Sequence, residues 1–211
     1  MAAEVALGPL YAHALEFALM AHAGQVRKGT TTPYFAHVIG VSALVLENGG
    51  SEKEAIAALL HDIVEDSENG EAVAKLIRKQ FGKKVRNIVL MCSDTTVQPK
   101  PPWLERKRNY LAHVRSEAHL GERTGFLRVT AADKLYNVRS ILADRDEVGD
   151  GVFERFSADR ERTIAYYVGL RDALSLYRGD DLGIARLIHQ FSSEVNRLGM
   201  VDPYTLDELC A

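Results

Sequence analysis

Apolar residues recur at i, i+3, i+4 and i+7 along almost the whole chain, and alternating strand-like runs are scarce. The spacing predicts helices over residues 9–22, 34–48, 51–66, 71–81, 83–92, 103–118, 126–144, 153–177, 181–198 and 204–210. Gly49 and Gly50 stop the second helix, and Ser51 with Glu54 has the spacing of a capping box at the start of the third. GQVRKGTTTP (24–33) reads as a loop, as does SDTTVQPKPPW (93–103), which holds three of the six prolines. With short connections and no internal repeat, these patterns predict an all-α helical bundle forming a single domain over residues 1–211.

Composition narrows the partners. The chain is 46% hydrophobic and 26% charged, ordinary values for a globular protein. Its net charge of −3, from 26 basic and 29 acidic residues, argues against a nucleic-acid surface but leaves room for a small anionic ligand. No apolar run approaches the roughly 20 residues that a membrane span needs. The N-terminal segment lacks a basic head and is interrupted by Glu4, His13 and Glu16, so it reads as an amphipathic helix rather than a signal peptide. Cys92 and Cys210 have no ligand-like spacing and read as reduced thiols, which points to the cytoplasm.

The informative segment is ALLHDIVEDS, residues 58–67. His61, Asp62, Glu65 and Asp66 fall within a strongly apolar helical pattern, with His61 and Glu65 four residues apart, and Asp62 and Asp66 likewise. A buried His–Asp pair is costly unless something compensates its charge, and a divalent cation is one such compensation. Two further segments point the same way. TTPYFAHV puts His37 at a helix start, and GFLRVTAADKLYNVRSI puts Asp133 inside an apolar run, where Lys134 or Arg139 offers a plain ion pair as the simpler explanation. The order His37, His61–Asp62, Asp133 is that of the HD metal-binding signature. Imidazole and carboxylate ligands without a thiolate suit one Mn²⁺ per chain, with another divalent transition metal as an alternative.

From about Tyr11 to Tyr167 the chain resembles the RelA/SpoT-type alarmone hydrolases, particularly the small stand-alone members. The segments HAGQVRKGTTTPYFAHV, AALLHDIVEDS, LERKRNY and AADKLYNVRSI carry the likeness. The resemblance implies an HD-domain fold and hydrolysis of ppGpp or pppGpp to GDP or GTP and pyrophosphate. It implies that His37, His61, Asp62 and Asp133 hold manganese and that Glu65 and Asp66 assist catalysis. Arg27, Lys28 and Asn137 match nucleotide contacts, and Lys107 and Arg108 fall in a segment that approaches the phosphates. Where many relatives read RKSGEPY, this chain reads RKGTTTPY, one residue longer.

An alternative keeps the metal and changes the substrate, giving a 5′-nucleotidase or an NADPH phosphatase. A non-catalytic nucleotide sensor is a third reading, disfavoured because Glu65 and Asp66 accompany all the ligand residues. His13, His22, His113, His119 and His189 have no ligand-spaced partner and read as structural. Tyr166 and Tyr167 read as core residues, and Trp103 as either a helix start or a cover over the site.

Overall fold

The computed structural model describes residues 6–200 and 202–211, so Glu4 lies outside the described residues. The helices are α1 (Pro9–Ala21), α2 (Tyr34–Glu47), α3 (Glu52–Leu60), α4 (Ile63–Asp66) and α5 (Gly70–Cys92). They continue with α6 (Trp103–Leu120), α7 (Thr124–Val148), a 3-10 helix (Gly149–Arg155), α8 (Arg160–Leu174), α9 (Leu182–Leu198) and α10 (Pro203–Cys210). The fold is all-α, as the periodicity predicts. Among the described residues the nearest approach to a strand is an isolated bridge between Val26 and Pro33. No helix among them is long and apolar enough to cross a membrane.

Burial follows from the sequence. Residues 55–60 of α3 are all fully buried, so this short apolar helix forms the centre of the core. It packs against α1, α2, α5 and α7, while α7 also contacts α9 and α6 lies against α8 and α10. Ser51 N–H donates to Glu54 Oε2 at 2.8 Å, as the capping-box spacing predicts. The patterns over 71–81 and 83–92 run together as α5, broken at Gly82, whose φ of 89° is open to glycine and strained for other residues.

Two predicted helices are interrupted. The pattern over 51–66 breaks at His61–Asp62, because His61 Nδ1 donates to the carbonyl of Ala58 at 2.8 Å. In an unbroken helix that carbonyl would take the N–H of Asp62. The pattern over 153–177 splits into the 3-10 helix and α8, since the Asp159 side chain accepts from Arg162 N–H at 2.7 Å and starts a new helix there. Apolar periodicity runs through both breaks, and polar side chains make them.

Candidate active site

His37 from α2, His61 and Asp62 from the α3–α4 turn, and Asp133 from α7 converge at one point. His37 Nε2 lies 3.6 Å from Asp62 Oδ2 and 3.3 Å from Asp133 Oδ1. His61 Nε2 lies 3.1 Å and 3.5 Å from the same two oxygens. Both imidazoles and Asp133 are buried. Among the described residues, His37, His61 and Asp133 form a group whose ligand atoms lie within 4.8 Å of one another.

This arrangement fits a divalent cation. Ligand atoms bonded to one ion at about 2.1 Å stand roughly 3.0–3.4 Å from their neighbours, close to the separations seen here. His61 spends its Nδ1 proton on Ala58, which leaves the buried Nε2 facing the carboxylates without a hydrogen bond. The carboxylates are held from behind. Tyr34 Oη donates to Asp62 Oδ2 at 2.5 Å, and Asn137 Nδ2 donates to Asp133 Oδ1 at 2.6 Å. Lys134 makes the ion pair with Asp133 Oδ2 at 2.6 Å, whereas Arg139 turns away to Glu194. The simpler ion-pair explanation of Asp133 therefore accounts for one of its oxygens and leaves the other aimed at the imidazoles.

Asp62 and Asp133 line a cleft of about 470 Å³, and the buried His37 and His61 stand behind them. Burial opposes the imidazolium of His61, yet the Asp62 and Asp133 carboxylates outweigh it and raise its pKa well above the ordinary range. Burial would likewise raise Asp133, but Lys134 and His61 hold it well below the usual carboxylate range.

The acidic pair follows directly. Glu65 and Asp66 line the cleft beside Asp62, and Lys100 Nζ bridges them at 3.2 and 3.4 Å. Burial, reinforced by Asp94 and opposed by Lys107, raises the Glu65 carboxyl above its ordinary range. Among these acids the cleft is also lined by four cations, Lys100, Arg106, Lys107 and Lys134. Lys107 Nζ also lies 4.9 Å from the centre of the Tyr166 ring.

The expected substrate contacts divide. Lys28, Lys107 and Asn137 line the cleft. Arg27 is one step behind it: its Nη2 donates to Asn137 Oδ1 at 3.0 Å, and its guanidinium lies over the Tyr136 ring. Arg108, expected near the phosphates, points away from the cleft, exposed, and donates to the carbonyl of Glu208 on α10 at 2.7 Å, whereas Arg106 lines the cleft. On α6 a one-residue step turns the side chain by about 100°, and sequence alone does not set that phase. The longer RKGTTTPY loop closes as a turn, with Arg27 N–H donating to the carbonyl of Thr32 at 2.9 Å. Gly29, at φ 71°, sits against the Arg155 side chain. Trp103, Tyr166 and Tyr167 all line the cleft, the two tyrosines while still largely buried.

Fold and site together define the class: the chain belongs to the HD-domain family, whose profile matches residues 14–161. Within that family it is 37% identical over 135 residues to the guanosine-3′,5′-bis(diphosphate) 3′-pyrophosphohydrolase MESH1 of Xenopus tropicalis, covering 63% of this chain and 69% of that one. Human MESH1, with the same description, is 37% identical over 131 residues, covering 61% and 67%. A solved structure of a metazoan ortholog of SpoT, described as hydrolysing ppGpp and acting in starvation responses, aligns with a TM-score of 0.69 at 26% identity. That alignment covers 94% of this chain and all of the other.

Proposed function

We propose that this chain hydrolyses ppGpp and pppGpp at the 3′ position, releasing pyrophosphate and leaving GDP or GTP. One observation carries the reading: Asp62 and Asp133, with His37 and His61 against them, share a single cleft with the Glu65–Asp66 pair and a group of lysine and arginine side chains. The activity carried in the names of the MESH1 relatives supports the same substrate.

His37, His61, Asp62 and Asp133 would hold the cation, which we take to be one manganese ion per chain. When bound, such an ion withdraws charge from phosphate oxygens and acidifies water. The chain's own residues supply the rest. Glu65, with its raised pKa, is suited to take a proton from the attacking water, and Asp66 to orient that water. Lys100, Arg106 and Lys107 offset the charge of the diphosphate that leaves. Lys28 and Asn137 are the nucleotide contacts in this reading, and Arg27 steadies Asn137. A cytoplasmic setting is consistent with Cys92 and Cys210 standing as free thiols.

The test is a product assay on the purified, manganese-loaded protein with ppGpp, deoxynucleoside monophosphates and NADPH, alongside metal analysis. Pyrophosphate and GDP from ppGpp are expected. Orthophosphate release from one of the other substrates, with ppGpp left intact, would replace this reading with the nucleotidase or NADPH phosphatase one.

A further inference from the structure

Asp94 follows α5 in the loop before α6 and belongs to none of the sequence motifs. Its side chain is 4% exposed, and it does not line the cleft. Arg106 Nη1 donates to both of its oxygens, at 2.7 and 2.6 Å, and Lys107 Nζ donates to Oδ2 at 2.6 Å. Its backbone N–H donates to Glu65 Oε2 at 3.3 Å, and Arg106 Nη1 lies 3.7 Å from Glu65 Oε1. Arg106, Lys107 and Glu65 all line the cleft, so Asp94 stands directly behind three groups of the cleft wall.

Consecutive residues on a helix diverge by about 100°. Arg106 and Lys107 would therefore point apart unless something gathered them. A single buried carboxylate between two cations does so. A lone Asp in that place would be costly, whereas one that accepts three charge-assisted hydrogen bonds is compensated.

We propose that Asp94 is a positioning residue for diphosphate recognition: it gathers Arg106 and Lys107 into one anion-facing pair and fixes Glu65 beside them. The proposal rests on the phosphohydrolase reading above and assigns the part of the cleft that meets the diphosphate.

The test compares wild type, Asp94→Asn, Asp94→Glu, the Arg106→Ala/Lys107→Ala pair and that pair combined with Asp94→Asn, all manganese-loaded. Turnover of ppGpp gives kcat and KM, calorimetry gives pyrophosphate affinity, and a melting curve reports folding. Asp94→Asn should raise KM and weaken pyrophosphate binding together by about tenfold, the scale of a lost charge-assisted contact, with a smaller change in kcat. In the background lacking both cations it should add nothing. Asp94→Glu keeps the charge but displaces it, and should raise KM by about threefold, a fraction of the same contact. Wild-type KM and pyrophosphate affinity in either folded Asp94 variant would overturn the proposal. So would an equal loss with and without Arg106 and Lys107, since Asp94 would then act by another route. Wild type that leaves ppGpp untouched sinks the substrate assignment instead, and the pyrophosphate titration still decides the role of Asp94.

Discussion

Asn137 donates its side-chain N–H to Asp133 Oδ1 at 2.6 Å, one helical turn further along α7. Its carbonyl oxygen accepts from Arg27 at 3.0 Å. One amide thus joins the 24–33 loop to a carboxylate of the His–Asp cluster. Arg27→Ala should raise KM for ppGpp more than it lowers kcat. Combined with Asn137→Ala, it should cost little beyond Asn137→Ala alone, because both act through the same amide. Steady-state kinetics on the three variants checks this, and additive losses would separate the two residues.

His61→Ala or Asp62→Ala should remove both metal retention and turnover. Each deletes a ligand atom that stands 3.1 Å from the other in the intact cluster. Metal analysis after dialysis, paired with the pyrophosphate assay, checks both. A variant that keeps full metal content would take that residue out of the ligand set.

Glu65→Gln should leave metal content intact and lower kcat by about a hundredfold, the scale of positioned acid–base help. Burial and then Asp94 raise the Glu65 carboxyl, with Lys107 and Lys100 opposing and Asp62 assisting. A base works deprotonated, so kcat/KM should fall as pH drops through that raised value. The acid limb should lie above the roughly 4.3 of a free glutamate. Asp94→Asn should move the limb to lower pH, since Lys100, Arg106 and Lys107 then act on Glu65 with less opposition. An unmoved limb would assign it to a different group.

Asp94 also bears on stability. Burial raises its carboxyl, but Lys107 and Arg106 overcome this and bring it down to about 2. Its contribution should be complete above the unfolded value of about 3.9 and fade as pH falls towards 2, for a total on the order of 2 kcal/mol. Urea unfolding of wild type and Asp94→Asn from pH 6 to pH 2.5 should show the gap between them narrowing over the lower part of that range. A gap independent of pH would trace the stability difference to packing.

The helices were legible because apolar periodicity records burial. α2, α6, α7 and α9 begin and end within a few residues of their predicted limits. The breaks at His61–Asp62 and Asp159 were not, since each depends on a side chain capturing a backbone group and leaves the apolar pattern unchanged. The cluster residues were legible from their order along the chain. Of the two basic residues expected on α6, Lys107 reaches the cleft and Arg108 does not, while Arg106, one helical step earlier, does. Asp94 and Lys100 lie in an aperiodic loop, where sequence gives no direction to a side chain. The available signal was a lone acid twelve and thirteen residues before the basic pair Arg106–Lys107.

The interruption at His61–Asp62 divides the labour of the site between two short rigid segments. Upstream, the α3 rod is anchored in the apolar interior and delivers the imidazole. Downstream, the stub of α4 carries Glu65 and Asp66 along the rim. Both segments are tied to the core, the first by residues 55–60 and the second by Ile63 and Val64, so the acids keep a set spacing from the imidazole. Loosening Ile63 or Val64 should therefore move Glu65 and Asp66 relative to His61.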